Sequence, residues 1–189
     1  TRLCTPPGSG PPRPAVLTLI DDLVSRSLDG ALPDAVQCVY ISPIKALAND
    51  IEKNLLGPLG EIKERYLPSR AKEIKVGLRT GDTPQSEREK MLRKPPHILI
   101  TTPESMGLGL ASKRFRPILD QMKWFIIDEM HSLVPTKRGT HLSLSMALMD
   151  SVVSSDVQRI GSSATMEPLD AVAEFLVASD SRESDVDPQ

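Results

Sequence analysis

Asp128 and Glu129 stand side by side in the stretch WFIIDEMH, Trp124–His131, with four bulky residues before them and a Met and a His after. Two adjacent carboxylates suit phosphoryl transfer, since one can hold Mg2+ while the other orients or deprotonates an attacking water. The apolar run Trp124–Ile127 reads as a short, fully buried strand of a parallel sheet. Both acids then fall at a strand's carboxyl end, where open α/β sheets bind their ligands. Taken alone, the pair is more simply a strand ending in solvated charge. Its neighbours have to reverse that reading.

The elements that would position it alternate along the chain. Val36–Ile41, Ile74–Arg79, His97–Thr101, the Trp124 run and Val157–Gly161 have the length and apolar character of strands. Helical patterns lie between them. They cover Ala15–Leu28, Pro43 to about Leu56, a second short helix over Glu61–Leu67, and Pro84 to about Arg93. Three more cover Pro103 to about Ser112, Thr140–Val153 and Pro168–Val177. This alternation predicts an α/β fold in three layers, a mostly parallel sheet with helices on both faces. Thr5–Pro14 is Gly- and Pro-rich and reads as a loop.

Three of the strands are followed, directly or after a short turn, by Ser or Thr and then Pro: Ser42-Pro43, Thr83-Pro84 and Thr102-Pro103. Ser and Thr are preferred N-caps, and Pro fits the first helical position. Right-handed crossovers put these helix starts on the same edge as Asp128 and Glu129. Helix N-termini offer free N–H groups and a positive dipole end, which suit phosphate. Each pair alone is simple capping. Three in register extend past what one nucleotide needs and point to an extended polyanion.

Composition narrows the function classes. A chain of 189 residues has room for one domain with a real core. With 39% hydrophobic and 25% charged residues it reads as globular, not disordered. Aromatics at 3% argue against base-stacking platforms. A net charge of −2 gives no global basic field, so any nucleic-acid contact must be local. Cys4 and Cys38 form neither a metal motif nor a disulfide framework, as expected of reduced thiols in a cytoplasmic protein. No apolar run approaches membrane-spanning length and no signal peptide is evident, so no membrane partner is expected.

Six stretches then match a family in its own order. They are YISPIKALAND (Tyr40–Asp50), RTGDTPQSER (Arg79–Arg88), PHILITTPES (Pro96–Ser105), DEMH (Asp128–His131), KRGTHLSLS (Lys137–Ser145) and QRIGSSAT (Gln158–Thr165). The chain resembles the large helicase-related enzymes of helicase superfamily 2, relatives of the DEAD/DEAH-box proteins, from about Cys4 to Leu176. The resemblance implies a P-loop NTPase of RecA-like fold, the first of two such domains in an ATP-driven translocase. It would span residues 1–178, cut short at its amino end, with 179–189 an acidic, frayed tail or linker.

By that resemblance Asp128 serves Mg2+, Glu129 serves the attacking water, and His131 couples the nucleotide site to the rest of the motor. Ser163, Ala164 and Thr165 resemble the motif linking hydrolysis to strand movement. Ser42, Pro43 and Lys45 resemble the first nucleic-acid motif; Thr80, Gly81 and Asp82, then Thr101, Thr102 and Pro103, resemble the next two. The implied partners are single-stranded or partly duplex nucleic acid, DNA foremost, and a second RecA-like domain. Without the resemblance, Lys45 reads equally as a solvated helix charge and Ser163 and Thr165 as caps. Lys137 and Arg138 read as surface charges of a loop, and His97 and His141 as structural.

One motif departs from the pattern. The phosphate-binding loop should read close to APTGSGKT, and here Thr5–Pro12 reads TPPGSGPP. Gly8, Ser9 and Gly10 survive as nucleotide-binding candidates, while Pro11 and Pro12 replace the Lys and Thr. Such a loop wraps phosphates in backbone N–H groups, with Lys on the β/γ-phosphates and the hydroxyl on Mg2+. Proline has no N–H. The loss of three or four charge-assisted hydrogen bonds amounts to roughly 5 kcal/mol or more. Two classes stay open on the sequence: an ATP- and Mg2+-binding motor domain, or a nucleotide-independent nucleic-acid-binding module.

Overall fold

The computed structural model describes residues 4–5, 13–66, 71–163 and 175–176. Among these residues six strands form one all-parallel sheet in the order β1-β6-β5-β2-β4-β3. They are β1 (Cys4–Thr5), β2 (Cys38–Ile41), β3 (Val76–Arg79), β4 (Ile98–Thr101), β5 (Trp124–Ile127) and β6 (Gln158–Ser162). The helices are α1 (Arg13–Leu28), α2 (Lys45–Tyr66), α3 (Gln85–Arg93), α4 (Pro103–Ala111), α5 (Met130–Leu133) and α6 (Lys137–Asp150). A 3-10 turn over Arg116–Leu119 leads into β5. The expected parallel α/β fold is what the chain adopts.

Strand periodicity divides the core in two. Cys38, Tyr40, Ile98, Ile100, Ile126 and Ile160 face α1 and α2, where Leu19, Leu23, Ile51 and Leu55 meet them. The alternate residues Val39, Ile41, Leu99, Phe125 and Ile127 face the opposite layer, with Met106 and Leu110 of α4 and Leu142, Met146 and Met149 of α6. Successive side chains of a strand point to opposite faces, so a central strand buried on both sides is apolar at every position. Met122, Met146 and Met149 are core packing.

Several boundaries differ from expectation. The stretch Thr5–Pro14, read as a loop, gives up Thr5 to β1 and Arg13 and Pro14 to α1, which proline tolerates in a first helical turn. The two helices foreseen over Pro43–Leu56 and Glu61–Leu67 are one 22-residue helix, α2, running through Pro58. An internal proline normally breaks a helix. Here Pro58 is exposed, while Ile51, Leu55 and Leu59 continue one buried stripe past it and hold both halves to the sheet. The helix expected over Thr140–Val153 runs from Lys137 to Asp150, because Thr136 caps it by accepting a bond from the Gly139 N–H. Strands β2, β3, β4 and β6 begin a residue or two later than their expected runs, and β5 begins with its run at Trp124. The helix expected over Pro168–Val177 and the tail 179–189 lie almost wholly outside the described residues, of which only Phe175 and Leu176 are helical. No described helix is long and apolar enough to cross a membrane.

Candidate nucleotide and nucleic-acid site

Asp128 follows β5 directly, and its N–H donates to the Ile41 carbonyl at 2.9 Å, carrying the ladder to the sheet's carboxyl edge. Asp128 is 7% exposed. It accepts two bonds, from the Tyr40 hydroxyl to Oδ2 at 2.8 Å and from the Glu129 N–H to Oδ1 at 2.9 Å. Burial pushes the Tyr40 phenol far above its ordinary range, and the Asp128 charge adds to the effect, so Tyr40 stays a donor. The bond from Glu129 closes a turn in which that residue adopts φ 52° and ψ 44°. Left-handed backbone costs a non-glycine residue about 1–2 kcal/mol, and strain of this kind gathers at functional sites.

From that turn Glu129 reaches His131, with Oε2 3.1 Å from Nε2. His131 Nδ1 lies 3.4 Å from Ser163 Oγ, just beyond β6. One tautomer serves both contacts: Nε2–H donates to Glu129, and the Ser163 hydroxyl donates to Nδ1. Tyr40, Asp128, Glu129, His131 and Ser163 therefore form a continuous polar chain across the ends of β2, β5 and β6. Two glycines permit it. A Cβ on Gly161 would sit 2.2 Å from Met130 Sδ, and one on Gly139 would sit 2.4 Å from the Leu133 carbonyl oxygen. Only glycine lets β6 and α6 approach α5 this closely.

The nucleic-acid candidates continue along the same edge through β2, β4 and β3. The Ser42 N–H donates to the Thr101 carbonyl at 2.9 Å, and the Thr101 hydroxyl donates to the Arg79 carbonyl at 2.7 Å. The three loops are thereby stitched into one row. Arg88 of α3 donates to the carbonyls of Thr80, Gly81 and Thr83 at 2.9–3.2 Å, fixing the turn that carries Thr80, Gly81 and Asp82.

The capping expectation holds at one of its three positions. Thr102 caps α4, accepting from the Ser105 N–H, with Pro103 at the first helical turn. Thr83 instead accepts from the Thr80 N–H at 2.8 Å and donates to the Leu78 carbonyl, leaving Pro84 ahead of α3 without a side-chain cap. Ser42 donates to the Ile44 carbonyl, and α2 starts only at Lys45. In both places the hydroxyl closes a local turn, a use that competes with helix capping for Ser and Thr.

Charges read as solvated turn out to be joined. Lys45 Nζ lies 2.7 and 2.8 Å from the Asp82 carboxylate oxygens, pairing two of the nucleic-acid loops. Arg138 sits in the first turn of α6, not in a loop, and bonds Glu104 and the Pro43 carbonyl. His97 is structural, as expected: its Nδ1 accepts from the Lys75 N–H at 2.9 Å. Tyr40 and Arg138 were not foreseen as site residues. Tyr40 carried a signal all the same, since a hydroxyl in an otherwise apolar buried run needs a partner. Gly8, Ser9, Gly10, Pro11, Pro12, Ala164 and Thr165 lie outside the described residues. Thr5, which pairs with Ser162, and Arg13, which opens α1, bracket the first five.

Comparison with known proteins agrees with this fold. The family model for the DEAD/DEAH box helicase matches residues 2–173. ATP-dependent helicase Lhr-Core of Methanothermobacter thermautotrophicus is 49% identical over 174 residues, which is 92% of this chain and 20% of that protein. The structure of Mycobacterium smegmatis helicase Lhr bound to ssDNA and AMP-PNP has a TM-score of 0.80 and 44% identity, covering 93% of this chain and 22% of that one. The DEAD-box helicase Mss116 bound to ssRNA and UDP-BeF, 19% identical with a TM-score of 0.68 over 87% of this chain and 31% of its own, shares the fold. The chain thus spans about a fifth of the length of these Lhr relatives.

Proposed function

The chain belongs to the DEAD/DEAH box helicase family as a first RecA-like motor domain, and from that premise we propose that it binds Mg·ATP at the Asp128 edge and a nucleic-acid strand along the β2-β4-β3 edge. The observation that carries the reading is the polar chain from Tyr40 through Asp128, Glu129 and His131 to Ser163. It joins the acids suited to phosphoryl transfer to the end of β6, the strand that leads into Ser163, Ala164 and Thr165.

The residues fit the metal. Among the described residues no three His, Cys, Asp or Glu side chains converge on a metal position. Mg2+ asks for less: it is usually held by one or two carboxylates together with phosphate oxygens and waters. Asp128 is a single carboxylate held in place by two donors, which matches that habit. Bound there, Mg2+ neutralises charge on the phosphates. Glu129 orients the attacking water, and His131 ties its position to that of Ser163. Gly8, Ser9 and Gly10 supply backbone N–H groups to the phosphates, and Arg13 stands near enough in sequence to contribute charge.

Along the second edge Ser42, Thr80, Thr101 and Thr102 hold the strand-end loops in one row through their own hydrogen bonds, and Lys45 is the cation for a phosphate backbone. Relatives bound to ssDNA and to ssRNA support a single strand as partner, and DNA is the preferred reading from the ssDNA-bound relative at 44% identity. Translocation requires a second RecA-like domain of the parent protein closing over the nucleotide.

Calorimetric titration of a Mg·ATP analogue tests the proposal on three proteins: this chain, Asp128→Ala and Pro11→Lys/Pro12→Thr. Binding by this chain that is lost in Asp128→Ala supports the motor reading. Binding only by the restored loop assigns a motor site disabled by its prolines. No binding by any of them, with salt-sensitive retention of single-stranded DNA, replaces the motor reading with a nucleotide-independent binding module.

A further inference from the structure

We propose that Tyr40 is a positioning residue for the phosphoryl-transfer chemistry, its hydroxyl holding Asp128 in the orientation that a nucleotide-bound metal requires. The inference rests on the reading of Asp128 and Glu129 given above and adds a residue to it. Tyr40 lies in β2, directly opposite Ile126 of β5. Strand side chains alternate in face, so Asp128, two residues beyond Ile126, projects on Tyr40's side of the sheet. The phenol leans along the strand and reaches the carboxylate at 2.8 Å.

The residue type is informative. Tyr40 is 1% exposed within the apolar cluster of α1 and α2. Phenylalanine would fill that space without burying a hydroxyl, and a buried hydroxyl destabilises the fold unless it is bonded. The Tyr40 hydroxyl donates to Asp128 Oδ2. With Oδ2 engaged, Oδ1 is left to accept from the Glu129 N–H. That bond closes the left-handed turn at Glu129, which in turn aims Glu129 at His131. Tyr40 is therefore the buried anchor of the whole chain, and it acts without needing to touch nucleotide or metal itself.

Tyr40→Phe removes one oxygen and keeps the ring. Mn2+ binding in the presence of AMP-PNP is followed by electron paramagnetic resonance for this chain, Tyr40→Phe and Asp128→Ala, alongside thermal melting. A readout that needs no nucleotide is the Tyr40 hydroxyl proton, sought by NMR as a slowly exchanging resonance lost in Tyr40→Phe. The expected result is that resonance in the unsubstituted chain, a melting temperature close to its value in Tyr40→Phe, and a Mn2+ midpoint raised about tenfold. An unchanged midpoint in Tyr40→Phe, with metal binding still lost in Asp128→Ala, overturns the role of Tyr40 and leaves the nucleotide site standing. Metal binding unaffected in Asp128→Ala, or absent from all three proteins and from the same three carrying Pro11→Lys/Pro12→Thr, overturns the site reading and the proposal with it.

Discussion

The guanidinium of Arg138 donates to the carbonyl of Pro43 at 2.6 Å across 95 positions of sequence. The same group grips Glu104 at 2.5 and 3.2 Å. One side chain at the start of α6 thus fixes two loops of the nucleic-acid edge, after β2 and at the start of α4. Lysine cannot reproduce this forked geometry. Arg138→Lys is expected to weaken single-stranded DNA binding about three- to tenfold, as read by fluorescence anisotropy. Its melting temperature should change little, because the pair is half-exposed and such pairs contribute little to stability. Burial is the largest single effect and raises the Glu104 carboxyl, but the Arg138 bond and charge, with bonds from the Glu104 N–H and Thr102, together outweigh it and hold the pKa below the ordinary value. The grip is therefore present above the usual Glu range and released as pH falls through the lowered folded value.

Glu129 sits in the left-handed region, where asparagine is far better tolerated than glutamate. Glu129→Asn should raise stability, by on the order of 1 kcal/mol in chemical denaturation, while abolishing any nucleotide hydrolysis by the parent protein. A variant less stable than the natural chain would show that contact with His131 outweighs the backbone strain.

The Lys45–Asp82 pair places a carboxylate on the edge proposed for phosphate, and there it occupies the cation. Asp82→Asn frees Lys45. Single-stranded DNA binding should tighten, and the slope of log affinity against log salt should steepen by about one. An unchanged slope would mean that Lys45 does not neutralise a phosphate.

His97 is fully buried. Burial first, then Lys72 and Lys75, lower its pKa from 6.5 to about 4. The unfolded chain protonates this ring at a higher pH than the folded chain does. Stability is therefore full above about pH 6.5 and declines as pH falls towards 4, by up to about 3 kcal/mol. Urea denaturation at pH 7 and pH 4.5 reads the decline, and His97→Gln, which cannot titrate, should flatten its share of it.

The sequence by itself determined the layer architecture, because continuous apolar runs alternating with amphipathic ones have one economical solution, a parallel sheet covered on both faces. It also determined that Asp128 and Glu129 end a strand, since the run before them is apolar at every position. Ser42, Thr80, Thr101 and their neighbours were legible as one edge for the same reason: each follows a strand in a sheet whose crossovers have one hand. Tertiary structure decided what the local pattern left open. Pro58 stays inside a helix because buried residues on either side of it share one stripe. Ser42 and Thr83 close turns instead of capping helices, a choice between nearly equal local hydrogen bonds that packing settles. Arg138 reaches Pro43, and Tyr40 reaches Asp128, across 95 and 88 residues. No spacing rule records such pairs, because strand order brings them together only once the sheet has formed.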